Sequence, residues 1–186
     1  MTEKLLVRNG APTLAGMKTG SLFTCPYQSR EEIQGDIREL NRRLVPKGIR
    51  ILPLRFSEWR TLLYLYRPNH LKRDFRDGRT AFLLKARGYP VDNPDRCVVQ
   101  LVSRLRCREA FPHEIGLFLG YPPEDVHGFM EHKRCFKCVG CWKVYGDEEK
   151  AKQIFCRYQK CTDVLCSRWA KGASIEELAV VAKESD

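Results

Sequence analysis

The sequence predicts a helix-rich α+β domain with a small, mainly antiparallel sheet. Two segments, 29–45 and 93–106, repeat their apolar residues at helical spacing, and each follows a capping residue. Three short stretches, at 21–25, 48–56 and 59–67, are rich in aromatic and aliphatic residues and read as strands. No internal repeat and no low-complexity run divides the 186 residues, so one domain over 1–186 is expected, with a frayed C-terminal end.

Taken in order, APTLAGMKTGSLF (11–23) holds Pro12, Gly16 and Gly20, which predict a tight turn, with Lys18 a candidate anion contact. SLFTC follows as a first strand. Ser29 and Glu32 form a capping box before Ile33, Ile37, Leu40 and Leu44, which line one helix face. In GIRILPLRF, Pro53 points to an edge strand or a bulge, and WRTLLYLYR is expected to pair with it. Leu71–Phe75 and Ala81–Arg87 are short helical pieces, the second closed by Gly88. Asn93-Pro94 caps the clearest amphipathic helix, with Val98, Leu101, Val102 and Leu105 on one stripe and Cys97 buried beside them. Two more short helices, 114–119 and 124–130, flank a GYPP turn. CWKVYG (141–146) reads as a further strand of the sheet. Residues 147–169 are one helix, or two broken near Cys161-Thr162, and Ser174-Ile-Glu-Glu opens a last helix ending near Lys183.

Composition narrows the classes. Hydrophobic residues make up 43% and charged residues 30%, which excludes a disordered polymer, and no apolar run approaches the ~20 residues of a membrane span. The N-terminus has no apolar core followed by a small-residue cleavage site, so a cytoplasmic protein is expected. Nine cysteines in a reducing compartment are not a disulfide framework. The net charge of +10 favours acidic partners. Its densest run includes Arg67, Lys72, Arg73, Arg76 and Arg79, a candidate basic surface; Arg104, Arg106 and Arg108 make a shorter one.

Two stretches invite chemistry. CFKCVGC (135–141) has the C-x2-C-x2-C spacing of iron–sulfur ligands, and one C-x2-C pair would make half of a zinc site. Its second half is poor: Cys156, Cys161 and Cys166 are each five apart, which turns a side chain by about 140° on a continuous helix. Convergence of Cys135, Cys138 and Cys141 with Cys161 and Cys166 would therefore need a helix break; His127 and His132 are alternative ligands. Thiol redox chemistry and plain free cysteines are the competing readings. In FPHEIGLFLGYPPEDVHGFMEH (111–132), His113-Glu114 lacks the second histidine of H-E-x-x-H, but Gly116 and Gly120 allow close approach of backbone or ligand. His113, Glu114, Tyr121 and Lys18 are the candidate site residues; the competing reading is tight helix packing.

APTLAGMKTGSLF, FPHEIGLFLGYPPEDVHGF, GCWKVYGDEEKA and YQKCT, in this order, resemble a family of small proteins of anaerobic Gram-positive bacteria described only as a domain of unknown function. The resemblance runs from about residue 5 to about residue 180. It carries no reaction or ligand, but its association with flavodoxins and iron-related functions implies redox or iron metabolism. The family often has His-Cys in place of Asn9-Gly10 and Tyr in place of Cys141. Three readings follow: a cytoplasmic accessory protein in iron or electron-transfer metabolism docking an acidic partner such as a flavodoxin; a zinc- or cluster-stabilised nucleic-acid-binding protein; and an enzyme with a pocket around His113 and Glu114.

Overall fold

A computed structural model describes residues 3–107, 111–131 and 134–181. The elements run α1 (Glu3–Leu14), β1 (Gly20–Pro26), α2 (Arg30–Leu44), β2 (Arg50–Phe56), β3 (Arg60–Tyr66), α3 (Pro68–Asp74), α4 (Gly78–Ala86), α5 (Pro94–Arg106), α6 (Ile115–Phe118), α7 (Pro123–Met130), β4 (Cys138–Val139), β5 (Lys143–Val144), α8 (Glu148–Ala170) and α9 (Ile175–Leu178). The fold is the helix-rich α+β class with a small antiparallel sheet. Its described residues form two compact units, one up to Asn69 and from Tyr158 onward, the other His70–Arg157. Among the described residues no helix is long and apolar enough to cross a membrane.

The first unit is built on the sheet β1-β3-β2, all antiparallel. β3 is central because its run TLLYLY is apolar on both faces: Leu63 and Leu65 enter the core, and Tyr64 and Tyr66 stack at 4.6 Å on the other side. β2 is an edge, and its register shifts between Pro53 and Arg55, so the proline marks both predicted features. The Asn41 amide of α2 covers that edge by donating to the Ile51 carbonyl and accepting from the Ile51 N–H, both at 2.9 Å. Ser29 caps α2 by accepting from the Glu32 N–H, and Ile33, Ile37, Leu40 and Leu44 are buried as their spacing requires. Each such side chain contributes about 1.5–3 kcal/mol on burial.

Helix α1 is the largest departure from the sequence reading. Pro12 was expected to belong to a turn, and Asn9 and Gly10 just before it are weak helix formers. The structure keeps them helical because the segment buries Leu6, Val7, Ala11 and Leu14, and because Gly10 lets it lie against Leu65, whose methyl would meet any Cβ there. The turn predicted within 11–23 is present after the helix, where the Pro12 carbonyl accepts from the Met17 and Lys18 amides and Gly16 takes φ 74°.

The second unit packs α3–α7 around Phe75, Leu84, Tyr89, Leu101, Leu105, Leu117 and Phe118. α5 follows its prediction: Asn93 caps it by accepting from the Arg96 N–H, and Cys97, Val98, Leu101 and Leu105 are buried. The strand expected at 141–146 does not join the main sheet. Only Lys143–Val144 pairs, and it pairs locally with Cys138–Val139. α8 is one unbroken helix rather than two. The last helix stops at Leu178, and Lys183 lies outside the described residues, as does Arg108.

Candidate functional site

Two segments of the second unit, Phe111–Phe129 and Cys141–Lys143, line a cavity of about 360 Å3. Asp125 joins them. It stands in the first turn of α7, where Pro123 fixes the helix start and an acidic side chain complements the helix N-terminus. Its carboxylate is 3% exposed and accepts three bonds of 2.7 Å, from the Trp142 indole N–H and the Tyr145 and Gly146 amides. Those donors are the W, Y and G of WKVYGD. The motif is thus the imprint of one buried carboxylate, and the carboxylate is satisfied by what it holds.

Glycines bring the pieces close. A Cβ on Gly116 would stand 2.7 Å from Val126 Cγ2, and one on Gly128 would stand 2.5 Å from the Tyr145 ring. Without side chains at these points, α6 can seat against α7, and α7 against the chain after β5. The aromatic rings then fall into two groups around the cavity. Tyr121 stacks on Trp142 at 4.8 Å, with Phe155 edge-on to the indole at 4.6 Å. Phe129 meets the His113 ring edge-on at 4.9 Å, and Phe111 lies 6.2 Å from His113. At the cavity margin the exposed Lys143 ammonium hovers 5.5 Å from the Phe129 centroid and 5.1 Å from that of Phe136. Ile115, Leu119 and Val126 complete an apolar lining.

The structure separates the predicted pair. His113 and Tyr121 line the cavity, whereas Glu114 turns away from it into a buried network. There its carboxylate, 2% exposed, accepts from Tyr89 Oη at 3.0 Å and Arg104 Nη1 at 2.8 Å. The Arg104 guanidinium lies 4.5 Å over the Tyr89 ring and also donates to the Arg87 carbonyl. Burial, reinforced by the Glu114 charge, pushes the Tyr89 hydroxyl well above its ordinary pKa. Glu114 therefore ties the start of α6 to α5. Lys18 belongs to the first unit, where its ammonium lies 6.0 Å from the Tyr158 ring.

Over residues 6–179 the sequence matches the family described as Protein of unknown function (DUF3793). The chain belongs to DUF3793. No curated protein and no solved structure matches it. Three of the four motifs that carried the resemblance acquire structural reasons here: two build the cavity of this DUF3793 chain, and APTLAGMKTGSLF shapes the end of α1.

The remaining candidates are dispersed over both units. All nine cysteines are free thiols, and among the described residues no group of three or more His, Cys, Asp or Glu side chains is placed to hold a metal ion. Cys135 and Cys141 are exposed and Cys138 half-buried. Cys161 and Cys166, on the unbroken α8, pack against the core of the first unit instead. His132 lies outside the described residues. Arg67 is no part of a basic surface, since it is fully buried. Lys72, Arg73, Arg76 and Arg79 are exposed. Arg79 shares a second groove, of about 390 Å3, with Phe82, Leu83, Pro123, Glu124 and His127, and Phe82 is 71% exposed.

Sequence reasoning singled out WKVYGD but missed Asp125, Phe129 and Lys143. Asp125 lay inside the short helix expected at 124–130, and only its three donors, 17 to 21 residues downstream, give it a role.

Proposed function

We propose that this DUF3793 chain is a binding protein whose recognition site is the aromatic cavity of the second unit. The observation that supports this most is the cavity itself, about 360 Å3 of aromatic and aliphatic lining held open by a carboxylate whose bonds all go to structural donors. That size lies in the range of about 300–1,000 Å3 typical of small-molecule sites. The test is calorimetric titration of the full chain with 2-naphthamide, a neutral fused-ring probe. One-to-one saturable binding is expected, and it should vanish in Cys141→Trp, which places an indole at an exposed position of the lining. Absence of saturable binding, or equal binding by C141W, would overturn the reading.

A second reading is favoured by Phe82. A phenyl ring 71% exposed, on a helix that also carries Arg79 and Lys85, has the makeup of an interface centre with a basic rim. We propose that this face docks an acidic protein of the flavodoxin kind in the cytoplasm, in iron or electron-transfer metabolism. Binding of a flavodoxin should weaken steeply between about 50 and 300 mM salt, and Phe82→Ala should weaken it about tenfold or more. Equal salt-dependent binding to any DNA duplex, with F82A unaffected, would favour the nucleic-acid alternative instead.

A further inference from the structure

Resting on the reading of the cavity as a ligand site, we infer that its ligand is a planar aromatic acid, bound with its rings inside and its anionic group at Lys143. The charges on the lining decide between three ligand classes.

An aromatic cavity with a carboxylate in its wall suits a cationic ligand on first inspection, because ring faces and a carboxylate both attract positive charge. Two observations remove that class. Asp125 is 3% exposed and its two oxygens already accept three short bonds, so little of its charge faces the cavity. The cation–π position over Phe129 is already taken by the Lys143 ammonium, which would repel a second cation.

A neutral aromatic ligand would fill the lining equally well but would leave Lys143 unused. That lysine is not a loosely tethered surface charge. Its backbone lies in β5, between Trp142, whose indole is held by Asp125, and Val144, which is fully buried. Its ammonium is drawn toward two ring faces, those of Phe129 and Phe136, and Phe129 itself lines the cavity. The cation is therefore held at one place on the margin, while the interior stays apolar. A compact ammonium on an exposed stem pairs with a carboxylate or another small anion without being desolvated.

Size sets the remainder. At about 360 Å3 the space suits about two fused rings with one short substituent, and a dinucleotide would not fit. The orientation follows: the rings meet Tyr121, Trp142 and Phe129, and the acid faces outward.

The test compares three probes of one shape on the full chain by calorimetry: 2-naphthoate, 2-naphthamide and (2-naphthyl)trimethylammonium. The naphthoate is expected to bind about five- to tenfold more tightly than the amide, and the ammonium more weakly than either. In Lys143→Gln the preference should disappear, the naphthoate and the amide binding with equal affinity. Added salt should erase the same difference. Equal binding of naphthoate and amide, or a naphthoate preference that survives K143Q, would overturn the aromatic-acid assignment while leaving the cavity as a ligand site. Tightest binding by the ammonium would overturn it in favour of a cationic ligand. No binding by any of the three would overturn both.

Discussion

Arg67 in the first unit and Asp125 in the second are buried charges that hold polar groups of the opposite sense. Arg67 donates to the carbonyls of Thr13 and Leu14 at 2.6 Å and of Val180 at 2.7 Å. It closes the C-terminal end of α1, where unpaired carbonyls and the negative end of the helix dipole collect. Asp125 does the reverse, gathering three N–H groups at the N-terminal end of α7. Their surroundings differ. Around Arg67 the chain is closed: Thr13 and Ser21 share a buried hydrogen bond, and Leu14 and Ile49 are fully buried. Around Asp125 the same economy leaves aromatic rings facing a cavity. A buried charge is thus no mark of a functional site in itself; what matters is whether its neighbours fill the space beside it.

The comparison is most exposed to substitution at Arg67. Arg67→Met keeps the volume but removes the charged donor from the Thr13, Leu14 and Val180 carbonyls, and should cost about 3–5 kcal/mol in chemical denaturation. That is a large share of the about 5–15 kcal/mol of a typical domain. Where the variant remains folded, its affinity for 2-naphthamide should match that of the parent chain. Asp125→Ala is expected to cost less, about 2–3 kcal/mol, because its donors lie nearer to solvent, yet it should abolish binding of the probe. A loss of binding in R67M, or its retention in D125A, would break the distinction between scaffold and site.

These two residues also show what could be read from the sequence. Helix α5, the Ser29 cap and the capping box at Ser174 were legible, because a cap and a 3.6-residue period are local signals. Arg67 sat in a run of cations and was assigned to the surface, since nothing local reveals that it reaches back 54 residues to Thr13. Glu114 and His113 were adjacent in sequence and were assigned one pocket, but neighbours at the start of a short helix point to different sides. Helix α1 was missed because Gly10 is explained by packing against Leu65 and not by its own propensity. The HEIGLFLGYPPEDV and WKVYGD motifs were visible as text; that they are one object required the three bonds to Asp125.

The smallest expected effect concerns charge at the surface of the first unit. Arg43 bridges Glu3 at 2.5 Å and Glu176 at 2.7 Å, and its hydrogen bonds hold the Glu176 carboxyl down at about 2. A depressed carboxyl contributes stability above its unfolded pKa of about 4.3 and loses it as the pH falls toward the folded value. With the Glu176 side chain 35% exposed, screening limits the contribution to about 1 kcal/mol. Glu176→Gln should therefore be about 1 kcal/mol less stable than the parent at pH 7, with the gap closing between about pH 4.5 and pH 2. A gap that is constant with pH would assign the effect to packing instead.

The central claim, that the recognition site is the cavity held by Asp125, is tested most directly by a backbone amide chemical-shift titration of the full chain with 2-naphthoate. The predicted result is saturable shifts concentrated at residues 113–129 and 141–146, with residues around Arg67, 13–21 and 63–67, unmoved. Shifts scattered over the surface, or concentrated around Arg67, would contradict it.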